Sequence, residues 1–269
     1  MPATLSSGMR AILFPAPPAT PRVTDRVRAF GVAWLDLIAP PHCASCESPL
    51  PALTNAGLCE GCAAKIRWIG ADRCRRCGDA TGEGSGVRDE CPSCRTHPPA
   101  FVSASCAVAR YLEGPVRDVV LGLKFGGQIH LAKLVAQLMA QRLKEAETLL
   151  PDAIVIPIPP ARRTWASRSL NHTTEVADVL ARELKLTIST SLLRKIRSTA
   201  PQATLTDEQR RTNLKGAFAV MAAAAKRFAE RPVLLVDDVI TTGSTISECA
   251  RTLHAAGLGE IRAVSLARG

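Results

Sequence analysis

Four CxxC pairs crowd one segment of the chain: Cys43/Cys46, Cys59/Cys62, Cys74/Cys77 and Cys91/Cys94. A CxxC turn presents two thiolates to one metal, and two such turns complete a tetrahedral site of four thiolates. Gly61, Gly78 and Pro92 supply small or turn-forming residues in or beside the pairs. The segment holds few large apolar side chains, so a hydrophobic core alone cannot fold it, and zinc ligation supplies the missing free energy. Two structural zinc ions are therefore expected. Four thiolates at each ion leave no open position for water, which argues against catalysis at either. Neighbouring pairs sharing a metal and alternate pairs interleaving both satisfy the spacing. The sequential grouping closes shorter loops and is the one expected.

Disulfides are the competing reading of paired cysteines. The N-terminus does not read as a signal peptide: Met1–Arg28 mixes Pro, Ser and Arg, and the apolar piece Ala11–Phe14 is too brief for an h-region. No stretch of about eighteen or more apolar residues occurs, so no membrane span is expected. The chain reads as cytoplasmic, where thiols stay reduced and paired cysteines point to metal. Cys106 and Cys249 lie outside the pattern in apolar surroundings and are expected in the core. His42 and His97 flank the cysteines but are not needed as ligands.

The texture divides the chain in three. Residues 1–23, rich in Pro, Ala and Ser over Met1–Pro21, read as disordered or loosely held. Residues 24–98 carry a candidate helix at Thr24–Leu37, stopped by Pro40-Pro41, and then the cysteines. After Pro98-Pro99, residues 99–269 alternate helical and extended apolar segments. Leu131–Leu143 has one apolar helical stripe, as does Asn171–Leu184. Ala153–Ile158, Val233–Val236 and Ile261–Leu266 read as buried strands, and Ser244–Ala256 as a helix ending at Gly257. Such alternation predicts an α/β domain: a parallel sheet with helices on both faces.

The richest string in that domain is Val233-Leu-Leu-Val-Asp-Asp-Val-Ile-Thr-Thr-Gly-Ser-Thr245. A buried strand ends in two acids, a loop of small hydroxylated residues follows, and then a helix. In a parallel α/β sheet, ligands bind at such strand ends. Backbone N–H groups over Thr242–Thr245 would converge at a helix N-terminus, where phosphate is favoured. Thr241, Thr242, Ser244 and Thr245 add hydroxyls, and Gly243 permits close approach of backbone to phosphate. Asp237 and Asp238 suit a sugar with vicinal hydroxyls, or a metal bridging hydroxyls and a diphosphate. A helix cap is the plainer reading of the hydroxyl loop alone. No GxxxxGK[ST] occurs, which argues against ATP hydrolysis.

Residues 233–245 resemble the signature of type I phosphoribosyltransferases. Taken with the four CxxC pairs, the chain from about Trp34 to Gly269 resembles the ComF family of competence-associated proteins, which join a double zinc ribbon to a phosphoribosyltransferase domain. Other matching pieces are Tyr111-Leu-Glu-Gly-Pro-Val-Arg117, Lys124-Phe-Gly-Gly127, Ile156-Pro-Ile-Pro159, Ala200-Pro-Gln202 and Arg211-Thr-Asn-Leu-Lys-Gly-Ala-Phe218. The resemblance implies phosphoribosyl diphosphate as ligand, with Mg2+ bridging its diphosphate and ribose. Asp237 and Asp238 would hold the ribose hydroxyls, and Thr241, Thr242, Gly243, Ser244 and Thr245 the 5′-phosphate. Pro157–Arg163 takes the place of the diphosphate loop, with Arg162 and Arg163 as cations. Arg197–Asn213 corresponds to a mobile loop whose Arg197, Arg210 and Arg211 would stabilise the leaving diphosphate. The family's usual Gly-Phe-Asn-Gln run is Ser169-Leu-Asn-His172 here; His172 is able to serve as a hydrogen-bonding group, but a surface histidine at a helix start is the plainer reading. The resemblance further implies a role in uptake or handling of transforming DNA, with DNA-translocating and DNA-processing partners.

Charge bears on the last point. The chain has 34 Lys and Arg against 24 Asp and Glu, a balance of +10, which suits a polyanion: nucleic acid or a phosphorylated small molecule. Arg73-Cys-Arg-Arg76 and the stretch Arg194–Arg211 concentrate it. Weak, salt-sensitive binding of single-stranded DNA is expected, because an aromatic content of 4% leaves little for base stacking. Two readings stand: a phosphoribosyltransferase, or a DNA-binding or scaffold protein that retains the site without turnover.

Overall fold

The structure is a computed structural model that describes residues 5–15, 41–50, 57–125, 128, 130–160, 172–199 and 207–269. The candidate helix Thr24–Leu37 lies outside the described residues. The first element is helix α1 (Ser7–Leu13). Around the cysteines come the short helix α2 (Glu60–Ala63), strands β1 (Arg73–Cys74) and β2 (Val87–Arg88), and helix α3 (Pro92–Thr96). Strand β3 (Ala104–Arg110) opens the large sheet, followed by helices α4 (Pro115–Phe125) and α5 (His130–Glu145), strand β4 (Ile154–Pro157), helix α6 (His172–Leu184) and strand β5 (Thr187–Ile188). Strands β6 (Leu193–Lys195) and β7 (Phe218–Val220) form a two-stranded antiparallel ribbon flanking helix α7 (Asp207–Leu214). Helix α8 (Ala222–Arg227), strand β8 (Val233–Ile240), helix α9 (Ser244–Ala255) and strand β9 (Ile261–Arg268) complete the chain.

The large sheet has five strands in the order β3-β9-β8-β4-β5, all parallel. Val233, Leu234, Leu235 and Val236 are each at most 1% exposed, as a strand covered on both faces requires. One face packs against α5 and α6, whose Leu131, Leu134, Val135, Leu138, Met139, Val176 and Leu180 share a core with Leu234, Val236 and Val264. The other packs against α9 and the β6–β7 ribbon, through Ile246, Cys249, Leu253, Leu193 and Phe218. Both solitary cysteines, Cys106 and Cys249, are fully buried. Burial pushes the Cys106 thiol up to about 12, so it stays a neutral, inert core group.

Two features depart from the sequence reading. Residues 5–15, expected to be loose, include α1, capped by the Ser6 hydroxyl accepting from the Met9 amide at 3.2 Å. Met9 and Leu13 are buried in the core of α5, and Ser6 Oγ donates to Glu145 Oε1 at 2.6 Å. Two well-spaced apolar residues and a cap hold a helix that composition alone hides.

The second departure is at the domain boundary. Leu50, Leu58, Cys62, Ala63, Ile66 and Trp68 belong to the same core as α5 and α6. Residues 67–69 also cover the open edge of β3: Ile69 N donates to Val108 O at 3.0 Å and Arg110 N to Arg67 O at 2.9 Å. Buried Arg142 on α5 donates to Ala107 O and to Gly70 O, at 3.2 and 2.6 Å, and buried Arg73 donates to Ala146 O at 3.0 Å. Gly78, at φ +75°, sits where an added Cβ would lie 3.0 Å from the Cys106 Cα. The cysteine module and the sheet are thus packed as one body, and Pro98-Pro99 marks a change of texture rather than a gap in packing.

Candidate functional site

The eight CxxC cysteines gather in two groups, Cys43/Cys46/Cys59/Cys62 and Cys74/Cys77/Cys91/Cys94, with ligand atoms in each within 4.8 Å of one another. This is the sequential grouping. Sulfur–sulfur separations are 3.6 Å for Cys46–Cys59, 3.8 Å for Cys74–Cys94 and 3.7 Å for Cys77–Cys91. A tetrahedral ion with Zn–S bonds of about 2.3 Å has S···S edges of about 3.8 Å, whereas a disulfide needs about 2.05 Å. The donor set therefore fits zinc, and all the cysteines are free thiols. Helix starts assist the first site, where the Cys62 amide donates to Cys59 Sγ at 3.4 Å. Burial pushes the Cys77 thiol up to about 11, so its thiolate depends on a cation to hold it.

The second site is built on β8 and α9. The strand does not stop at Val236; it runs on through both acids to Ile240. Successive side chains on a strand leave from opposite faces, but the Asp237 carboxyl folds back onto the Asp238 amide and stays within reach of the Asp238 charge. Asp238 faces α4 and α6, where its Oδ2 accepts from Lys124 Nζ and from His172 Nε2, both at 2.8 Å. Its Oδ1 accepts from the Val239 amide at 2.7 Å. Burial opposes ionisation of Asp238, but the His172 bond and the Lys124 ammonium outweigh it and lower its pKa to about 2. Asp237 accepts the Asp238 amide at 2.9 Å. Burial, and then the adjacent Asp238 charge, hold Asp237 well above the usual carboxylate range. The pair thus divides: one firm anion and one carboxyl that resists ionisation.

Beyond Ile240 the loop turns at Gly243, whose φ of +75° is left-handed and suits glycine. Gly243 is the N-cap of α9, and no side chain caps the helix there. Thr242 Oγ1 and Ser244 Oγ lie 2.8 Å apart, and Ser244 begins the helix, followed by Thr245. Two cavities open onto this turn. One of about 430 Å³ lies between α3 of the cysteine module and the loop, and is lined by Ser93, His97, Thr241, Thr242 and Arg268 among others. The other, of about 320 Å³, is lined by His97, Thr242, Ser244, Ser247 and Lys215 among others. The second cysteine group therefore forms one wall of the space in front of the hydroxyl loop.

Of the arginines singled out from the sequence, Arg162 and Arg163 lie outside the described residues, as do the side chains of Arg210 and Arg211. Arg197 donates to the carbonyls of Asn213 and Lys215 at 2.7 and 2.9 Å, bracing the base of its loop. His172 is not at the surface: its side chain is 19% exposed and holds Asp238. Sequence reasoning misses Lys124 as a site residue and ranks the hydrogen-bonding role of His172 below a surface position. Lys124 stands only in a short matching piece, and no local spacing ties either residue to a carboxylate on a different element. Among the described residues no helix is long and apolar enough to cross a membrane.

A double zinc ribbon domain matches residues 34–95, and a phosphoribosyl transferase domain matches residues 166–269. The chain is 32% identical to "Competence protein F" of Haemophilus influenzae over 84% of its length and 96% of that protein's. It is 30% identical to "DNA utilization protein YhgH" of Escherichia coli K12, over 86% of this chain and 99% of the relative. "Competence protein ComFC" of Streptococcus pneumoniae is 25% identical over 78% of this chain and 87% of the relative.

Proposed function

Because the chain belongs to the ComF family, with a double zinc ribbon joined to a phosphoribosyltransferase domain, we propose that it binds phosphoribosyl diphosphate with Mg2+ at Asp237, Asp238 and Thr241–Thr245, in the service of DNA uptake or utilisation. One observation carries the ligand reading. An ionised, buried carboxylate and a second carboxyl stand at a strand end beside a glycine-capped helix start, the arrangement a phosphorylated sugar needs. Asp237 and Asp238 supply acceptors for the ribose diol, and the start of α9 with its hydroxyls receives the 5′-phosphate. The chemistry open to such a site is displacement of diphosphate at the anomeric carbon, through positioning and charge neutralisation. Magnesium would supply charge on the diphosphate side. The link to DNA rests on the names of the relatives, which speak of competence and DNA utilisation.

Calorimetric titration with phosphoribosyl diphosphate and Mg2+, followed by an assay for diphosphate release, tests the proposal. Wild type should bind, and Asp237→Asn/Asp238→Asn should not, each lost charge-assisted bond costing roughly 1.5–3 kcal/mol. Equal affinity in the double variant would place the site elsewhere. Binding without release would favour the second reading, a non-catalytic module that keeps the site and acts on DNA or as a scaffold. The net charge of +10 is the observation for direct contact with single-stranded DNA. The cluster Arg73–Arg76 contributes less than its sequence suggests, since Arg73 is buried, Arg75 pairs with Asp89 at 3.4 Å and Arg76 pairs with Glu90. If DNA binds through Arg75 and Arg76, Arg75→Ala/Arg76→Ala reduces both affinity and salt slope in fluorescence anisotropy. No binding by wild type at low salt would route the link to DNA through protein partners.

A further inference from the structure

We propose that Lys124 is a ligand-binding residue of this site: its ammonium holds Asp238 until a ribose hydroxyl takes its place on Oδ2, and then pairs with a phosphate oxygen of the same ligand. The inference rests on the phosphoribosyl reading above and adds to it a residue from a different part of the chain. A carboxylate offers about four acceptor positions, two on each oxygen. Lys124 and His172 occupy both positions on Oδ2, each at 2.8 Å, and the Val239 amide takes one on Oδ1 at 2.7 Å. Asp238 is only 9% exposed, so a diol has few directions of approach. To engage both oxygens, it must evict one donor.

The two donors differ in how readily they leave. His172 is a ring fixed at the first turn of α6, with a side chain 19% exposed. Lys124 is carried on a four-carbon stem in the last turn of α4, is 31% exposed, and precedes Phe125, which is 72% exposed. The lysine is the mobile member. An ammonium taken from a buried carboxylate needs a new counter-charge at once, or its removal is costly. A phosphorylated sugar delivers that charge together with the hydroxyl that displaces it. Lys124 thereby couples recognition of the diol to recognition of the phosphate.

Isothermal titration of the full chain with phosphoribosyl diphosphate, across a range of Mg2+ concentrations, tests this. Lys124→Met should weaken binding by about tenfold or more, the loss of one charge-assisted contact. It should also steepen the dependence on Mg2+, because the metal becomes the main cation opposing the phosphates. Lys124→Arg should keep most of the affinity and the wild-type magnesium response. A role confined to structure would lower the melting temperature without changing the magnesium response. Affinity and magnesium response unchanged in Lys124→Met, or an equal loss at every Mg2+ concentration, would overturn the inference while leaving the phosphoribosyl reading intact. Absence of binding by wild type would overturn both. Should Lys124→Met fail to fold, Lys124→Gln carries the same comparison.

Discussion

Asparagine in place of one or the other member of the acidic pair should move stability in opposite directions. Asp238→Asn removes the charge from two bonds of 2.8 Å, to Lys124 and His172. Bonds to charged groups are worth about 1.5–3 kcal/mol each. The amide oxygen still accepts weakly and Lys124, 31% exposed, regains some water, so a net loss of about 2–4 kcal/mol is expected. Linkage gives a second route to the number. The Asp238 pKa is lowered from 3.8 to about 2, and each unit is worth about 1.4 kcal/mol, giving about 2 kcal/mol. Because the folded pKa is depressed, this stability is present above pH 3.8 and is lost as pH falls towards about 2. Asp237 has the reverse sign: its raised pKa means that its contribution is present in acid and lost as pH rises. At neutral pH, Asp237→Asn should therefore stabilise, by relieving burial of a charge beside Asp238. By differential scanning calorimetry at pH 7.5, Asp238→Asn should melt roughly 5–15 °C lower and Asp237→Asn higher than wild type. In the Asp238 variant the acid-side loss between about pH 4 and 2 should shrink accordingly. An Asp238 variant within about 1 °C of wild type, or an Asp237 variant destabilised as much, would refute the charge division.

Two further outcomes concern the metal module and its docking. Elemental analysis should find two zinc ions per chain, and Cys59→Ser should lose about one; because Leu58, Cys62 and Trp68 share the core of α5, that variant should melt lower in a single transition, and two separate transitions would contradict a common core. Gly78→Ala places a Cβ about 3.0 Å from the Cys106 backbone at a left-handed φ, so a loss of about 2–4 kcal/mol is expected in chemical denaturation with zinc content unchanged, and a neutral result would mean that the turn is not pressed against β3.

The parts of the fold legible in the sequence are those whose signal is local. The CxxC spacing and the preference for short loop closure point to the grouping that the sulfur positions adopt. The apolar stripe at Leu131–Leu143 falls within α5 and the runs Val233–Val236 and Ile261–Leu266 within β8 and β9, while the run Ala153–Ile158 overreaches β4 by one residue at each end. Strand β3 escapes the pattern because Ala104, Ser105, Cys106, Ala107 and Ala109 are small and carry no alternation; its place follows from pairing with β9. The extension of β8 through Asp237 and Asp238 escapes it because carboxylates disfavour a buried strand unless partners neutralise them, and those partners come from α4 and α6. The buried arginines Arg73 and Arg142 read as surface charge until the carbonyls they serve are seen.

Strand order sets a timetable for assembly. β9 lies between β3 and β8, although it follows both in the chain. The edge that receives residues 67–69 is the far side of β3, so the cysteine module is synthesised long before the surface it docks on is complete. Until Ile261–Arg268 emerges, β3 has no large-sheet neighbour, whereas α5 and the first metal site can already pack on each other and on α6. Metal capture can thus come early and locally, while closure of the sheet is late and long-range, and slow in the way that distant pairings are slow. A chain starved of zinc would reach that late step without its edge cover, with β3 presenting unpaired N–H and C=O groups to other chains.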